Sequence, residues 1–302
     1  MTPTIVLPYI SPDLFSIELF GLNLAIRWYA LSYIIGFLIG WRWFIIFMKK
    51  PALWSSGKPP LTPEQPEQLL TWIIIGIIIG GRLGYVVFYN LGFFLENPLE
   101  VFKVWTGGMS FHGAFVGLII ATILFCKRTN SPLGSVSDTI SITVTPGLFL
   151  GRLANFINME LYGRPTDISW GVVFSGGPAA ICPDTWTDVC SRHPSQLYEA
   201  LLEGLLLCFL LSYLAYRKGC FKVPWRISGL FFLGYGLARI FVEYFREPDP
   251  QFISDDNPLG YIIQISDWMG FTMGQSLSLP MVIVGFWLIF HTRKGNDVSI
   301  KK

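Results

Sequence analysis

Charge is what this sequence has least of. Only 14% of its 302 residues are Asp, Glu, Lys or Arg, while 52% are hydrophobic and 16% aromatic. An ordinary soluble domain carries about 25% charged residues. Mean hydropathy is +0.51. Such a supply of charge cannot cover a water-soluble globule, and it excludes a disordered chain. Five cysteines are too few for a disulfide-dense mini-protein. A net charge of +2 does not suit a nucleic-acid binder. The first basic residue is Arg27, whereas a cleaved signal peptide opens on a basic stretch, so the N-terminus does not read as a removable leader. Neither His-Glu-x-x-His nor Gly-x-Ser-x-Gly occurs, which argues against an intramembrane protease or hydrolase.

What the sequence has is long apolar runs. A membrane-crossing helix needs about 20 mostly apolar residues. Seven runs qualify, at Leu22–Met48, Leu69–Asn90, Met109–Cys126, Asp138–Asn158, Gln196–Tyr216, Ile227–Phe245 and Met273–His291. The expected fold is therefore an all-α integral membrane protein, a single seven-helix domain with polar loops at 159–195 and 246–272. Basic residues alternate between the connecting segments. Counted along the chain, one set holds 3, 2, 4 and 4 Lys or Arg and the other 0, 1, 2 and 1. Cytoplasmic loops carry the excess, so the N-terminus is expected outside and the C-terminus in the cytoplasm.

Several polar residues fall inside these runs: Arg27, Arg42, Arg82, Arg152, Arg239, Glu199, Glu203 and Glu243, with Asp138 at a boundary. Each charge costs about 2.5–3.5 kcal/mol on insertion scales. Arg42 is expected to snorkel to the cytoplasmic surface. The others cluster at the outer ends of their helices, together with Tyr29, Ser110, His112, Asn155 and Gln196. A scatter of structural ion pairs would not favour one leaflet; a polar cavity open to the outer leaflet would. Arg239 and Glu243 share a helix face at i,i+4, as do Glu199 and Glu203. Paired guanidiniums suit a phosphate, because each presents parallel donors. A transporter for an anionic solute would also explain charge in the membrane. It would call for internal repeats and polar groups at both leaflets, and neither is found.

Five strings carry a resemblance. Residues 151–164 read GRLANFINMELYGR, 192–200 RHPSQLYEA, 234–249 GYGLARIFVEYFREPD, 80–90 GGRLGYVVFYN and 110–117 SFHGAFVG. Together they resemble the bacterial phosphatidylglycerol–prolipoprotein diacylglyceryl transferases, a family with seven helices and an external N-terminus. The resemblance implies transfer of a diacylglyceryl group from phosphatidylglycerol to the lipobox cysteine of a preprolipoprotein, with a thioether formed and glycerol 1-phosphate released. It implies the bacterial inner membrane, lipid and signal-peptide partners, no nucleic acid, and no metal or soluble cofactor.

It also implies roles. Arg152 and Arg239 match the family's head-group arginines, with Asn155, Gly163 and Arg82 beside them and Glu243 orienting Arg239. Tyr29 matches a family position near the cavity. Glu160, Glu199 and His193 are expected to support these groups. His112 is the candidate general base, since an imidazole with a pKa near 6.5 suits proton removal from a thiol. The family string there is usually His-Gly-Gly-Leu, and this chain has Ala114 and Phe115 instead. His193 is the alternative. Cys182 and Cys190 lie eight residues apart in the outer loop, a spacing that permits a disulfide without requiring one.

Overall fold

The computed structural model describes residues 5–19, 22–55, 57–182, 186, 189–254, 256–266 and 269–299. In chain order come β1 (Ile5–Leu7), β2 (Asp13–Leu19), β3 (Leu22–Arg27), α1 (Trp28–Met48), α2 (Gln65–Tyr89), α3 (Leu91–Glu96), α4 (Phe111–Thr129), α5 (Leu133–Thr143) and α6 (Thr145–Ile157). There follow β4 (Val172–Phe174), β5 (Ser191–Arg192), α7 (Ser195–Glu199), a π-helical turn (Ala200–Leu206), α8 (Leu207–Arg217), α9 (Arg226–Val242), β6 (Tyr261–Ser266), β7 (Met269–Thr272) and α10 (Met273–Ser299).

Lipid offers no partner for backbone N–H and C=O groups, so a spanning segment must satisfy them within itself. Among the described residues, six helices are long and apolar enough to cross a membrane: Trp28–Met48, Gln65–Tyr89, Phe111–Thr129, Leu133–Ile157, Ser195–Arg217 and Met273–His291. The chain is a multi-pass membrane protein. The remaining expected run forms α9, which is shorter at 17 residues.

The first expected span starts too early. Residues 22–27 form β3, antiparallel to β2, with Asp13 opposite Arg27. Arg27 thus lies in a strand rather than in a helix, and its Nε donates to Asp13 Oδ1 at 3.2 Å. The run Leu22-Asn23-Leu24-Ala25-Ile26-Arg27 alternates with period two, the signature of a strand. The expectation of an all-α chain is corrected by three small sheets among the described residues, ordered β1-β4-β5, β2-β3 and β6-β7. Strands of two or three residues leave no periodic signal, and those of the first sheet lay in segments read as loop.

Two compact units make up the chain. One comprises residues 1–40, 141–220 and 225–302, the other 41–140 and 221–224. In the second unit α2 and α4 pack through glycines. A Cβ on Gly76 would lie 2.6 Å from the Gly117 carbonyl, and one on Gly84 would lie 2.8 Å from Gly113 Cα. Small residues let membrane helices approach this closely. Below them, Trp54 stacks on Phe221 with ring centroids 4.6 Å apart.

In the first unit, the strands of residues 159–195 are clamped by Arg192, which is 2% exposed. It donates to the carbonyls of Ala179 at 2.9 Å, Gly163 at 3.0 Å and Ile181 at 2.5 Å. Its guanidinium lies 4.5 Å from the Tyr162 ring centroid and 3.5 Å from Glu247. Cys182 and Cys190 form a disulfide that closes the adjoining loop.

Overpacking a tight helix contact costs roughly 1–3 kcal/mol. Gly117→Leu is expected to lower the melting temperature in detergent, whereas Val116→Leu on the exposed side of the same helix should leave it unchanged.

Candidate active site

Three helices of the first unit bring the intramembrane charges together. Arg152 and Asn155 lie on α6, Glu199 ends α7, Glu203 sits in the π turn, and Tyr235, Arg239 and Glu243 follow at four-residue steps along and just beyond α9. Arg152 Nη1 is 3.1 Å from Glu199 Oε2, and its Nη2 is 3.3 Å from Glu203 Oε2. The other oxygen of Glu199 pairs with Arg239 Nη1. Arg239 Nη2 lies 3.0 Å from Glu243 Oε2. One carboxylate, Glu199, therefore holds both guanidiniums that the sequence singled out.

The chain of pairs continues outward. Glu243 Oε1 is 3.7 Å from Arg246, which reaches Asp249 at 3.4 Å. Thr272 Oγ1 donates to Glu243 Oε1 at 3.1 Å. Tyr235 lies within electrostatic reach of both Arg152 and Glu203. Three guanidiniums thus face three buried carboxylates. Breaking such a pair by removing one partner costs about 3–5 kcal/mol, because the survivor stays buried and uncompensated.

Burial is uneven within this cluster. The Glu199 and Glu203 side chains are 0% exposed, whereas Arg152 retains 17% and Arg239 14%. The two acids are thus more deeply buried than the arginines they hold. A cavity of about 200 Å³ adjoins Arg239, Glu243 and Arg246 and is walled by Phe252, Met273 and Leu277.

The neighbouring expected residues are placed as follows. Asn155 is buried, and its side chain makes no hydrogen bond among the described residues. Tyr29 Oη is 3.0 Å from Tyr33 Oη, and Tyr33 is within electrostatic reach of Arg152. Gly163 lies where a Cβ would come 2.7 Å from His193 Cβ and 2.8 Å from the Phe245 carbonyl, so only glycine lets these segments meet. Glu160 has an exposed carboxylate and contributes through its backbone, whose carbonyl accepts from Gln196 Nε2 at 2.7 Å. It is flanked by Met159 and Leu161 with φ of +58° and +52°, left-handed conformations that are costly for side chains of this size.

Arg82 and His112 belong to the other unit. The expected head-group role of Arg82 meets a guanidinium already engaged. It donates to the carbonyls of Val101 (2.9 Å), Gly107 (2.5 Å), Gly108 (3.2 Å) and Glu100 (2.6 Å) and lies over Phe94. Arg82 therefore organises the segment after α2. His112 sits in the first turn of α4, behind the Ser110 N-cap. It is exposed, edge-on to Phe111, and makes no side-chain hydrogen bond among the described residues.

Sequence reasoning passed over Tyr235 and Arg246. Tyr235 stands four residues before Arg239, on the same helix face, and that spacing could have found it. Arg246 was counted only as a loop charge.

His193 packs against Phe245 with centroids 5.1 Å apart, and its Nδ1 is 3.3 Å from Tyr198 Oη. Burial lowers its pKa below the ordinary 6.5. The folded state therefore favours neutral imidazole. Its stabilising contribution is present above pH 6.5 and is lost as pH falls through the lower folded value. His193→Gln is expected to lose less melting temperature than the parent between pH 7.5 and pH 5.5.

Comparison with known proteins bears on this site. The prolipoprotein diacylglyceryl transferase family model matches residues 16–291. A phosphatidylglycerol–prolipoprotein diacylglyceryl transferase of Ruegeria pomeroyi is 53% identical over 286 residues, covering 95% of this chain and 96% of the relative. Its counterpart in Roseobacter denitrificans is 52% identical over 293 residues, covering 97% and 99%. The Sinorhizobium medicae protein of the same name is 44% identical over 289 residues, covering 95% and 94%. The chain belongs to the prolipoprotein diacylglyceryl transferase family.

Proposed function

We propose that this protein transfers the diacylglyceryl group of phosphatidylglycerol to the lipobox cysteine thiol of a prolipoprotein, in a bacterial inner membrane. The observation that carries this reading is the single Glu199 carboxylate pairing with both Arg152 and Arg239, next to a cavity that Arg239 lines. A phosphodiester entering there meets two sets of donors at once.

In the reaction the thiol sulfur attacks the glyceryl carbon that bears the phosphate. A C–S bond forms, the C–O bond breaks, and the electron pair leaves with glycerol 1-phosphate. Phosphate charge grows from about one to about two during this step, so guanidiniums already in position favour the transition state over the ground state. Asn155 offers its buried amide to the glycerol head. His112 accepts the thiol proton, which a free thiol of pKa about 8.5 gives up reluctantly. Gly163 keeps the 162–164 strap close to the His193 segment, and Glu243 fixes the second fork of Arg239.

We read the membrane topology as seven crossings with α9 as the sixth, N-terminus outside and C-terminus in the cytoplasm. The alternation of basic residues supports this. So does the Cys182–Cys190 disulfide, since such bonds persist outside the reducing cytoplasm.

The test uses purified protein in detergent with phosphatidylglycerol and a lipobox peptide, and mass spectrometry to detect the diacylglyceryl adduct. Arg152→Ala and Arg239→Ala are each expected to lower turnover by about 10²–10³, the effect of removing one preorganised donor. Adduct formed at the parental rate by either variant contradicts the head-group assignment. His112→Gln is expected to lower turnover at least tenfold without changing phosphatidylglycerol affinity. Parental turnover in that variant removes the base role while leaving the arginines in place.

A further inference from the structure

The fifth long helix, Ser195–Arg217, is not a uniform α-helix. Its residues Ala200–Leu206 form a π-helical turn directly after Glu199 and around Glu203. Such turns amount to one surplus residue in an α-helix and arise mostly where function repays the strain.

The burial pattern states what this turn accomplishes. Glu199, Glu203, Leu207, Leu211 and Ala215 are all buried, and they recur every four residues. At 3.6 residues per turn, a four-residue repeat drifts by about 40° per step around a straight α-helix, roughly 160° over this stretch. One surplus residue sets the stripe back by about 100°. The π turn thus keeps the two acids in line with the apolar residues that seat the helix.

Gly204 fixes how close the acids come to their partner. A Cβ there would lie 2.6 Å from Phe149 Cα and 2.8 Å from Phe149 N, where the obstacle is backbone and cannot rotate away. Phe149 precedes Arg152 by three residues on α6, so both lie on one face. The helix–helix contact at Gly204 therefore sets the gap that the Arg152–Glu203 pair closes at 3.3 Å.

We infer that Gly204 and the π turn around it are a positioning element, holding Glu199 and Glu203 on Arg152 so that its guanidinium stays oriented for the lipid phosphate. This rests on the head-group reading above and adds a residue that touches neither substrate.

The experiment is a double-mutant cycle on phosphatidylglycerol affinity, measured in mixed micelles with Gly204→Ala, Glu203→Gln and the pair. Gly204→Ala is expected to weaken binding roughly tenfold in the parent, the scale of a misplaced binding group. In the Glu203→Gln background it should cost less than about twofold, because the interaction it acts through is already gone. Equal penalties in both backgrounds, or no penalty in the parent, overturn the inference. If Gly204→Ala does not fold, deletion of Leu205 takes its place, since that removes the surplus residue without enlarging any side chain. If neither variant folds, the turn is a folding element and the inference fails. Parental protein that binds no phosphatidylglycerol sinks the head-group reading itself, a result distinct from any of these.

Discussion

Two guanidiniums on one carboxylate is the constraint to which the rest of this structure answers. Glu199 is 0% exposed and pairs with Arg152 and Arg239 through its separate oxygens. Two positive charges side by side in a membrane protein would repel and would each carry a desolvation penalty. A shared anion between them offsets both effects, and Glu203 and Glu243 balance the remaining forks. The acids are closed off, while the two arginines keep a small exposed fraction.

The surrounding architecture serves this arrangement. The π turn aligns the acids of the fifth long helix with its seating face. Thr272, the last residue of β7 just before α10, bonds to Glu243, and Gly274 leaves room for that carboxylate, since a Cβ there would fall 2.5 Å from its Cδ. On the loop side, Arg192 binds three carbonyls and ties Gly163 to the segment leading into α7. A neutral cluster of this kind can receive a monoanionic phosphate only by loosening an acid from its arginine. On the proposed reading, the buried carboxylates set the strength of lipid binding as well as the shape of the site.

Much of this was legible in the sequence, for definite reasons. Apolar runs mark helices wherever lipid forbids unpaired backbone groups, and their interior charges marked the candidate site because such charges are rare and costly. The i,i+4 spacing showed that Arg239 and Glu243 share a face. Pairing across helices was not legible. Glu199 and Arg152 lie on helices separated by a long loop, and nothing local says that Glu199 bridges two arginines rather than one. Arg82 resembled Arg152 in sequence, a Gly-Arg pair in an apolar run, yet its donors go to carbonyls of the segment after α2. Residues 22–27 show the opposite failure, since an apolar run absorbed a strand whose alternation was visible. The disulfide stayed open because spacing alone does not orient two cysteines.

Solid-state NMR of isotopically labelled protein with bound phosphatidylglycerol tests the central claim most directly. Phosphorus-to-nitrogen dipolar couplings would be read between the lipid phosphate and the guanidinium nitrogens of Arg152 and Arg239. The account predicts that both arginines lie about 4 Å from the same phosphorus, the separation that an N–H···O–P contact imposes. A phosphate coupled to only one of them, or to neither, would contradict it.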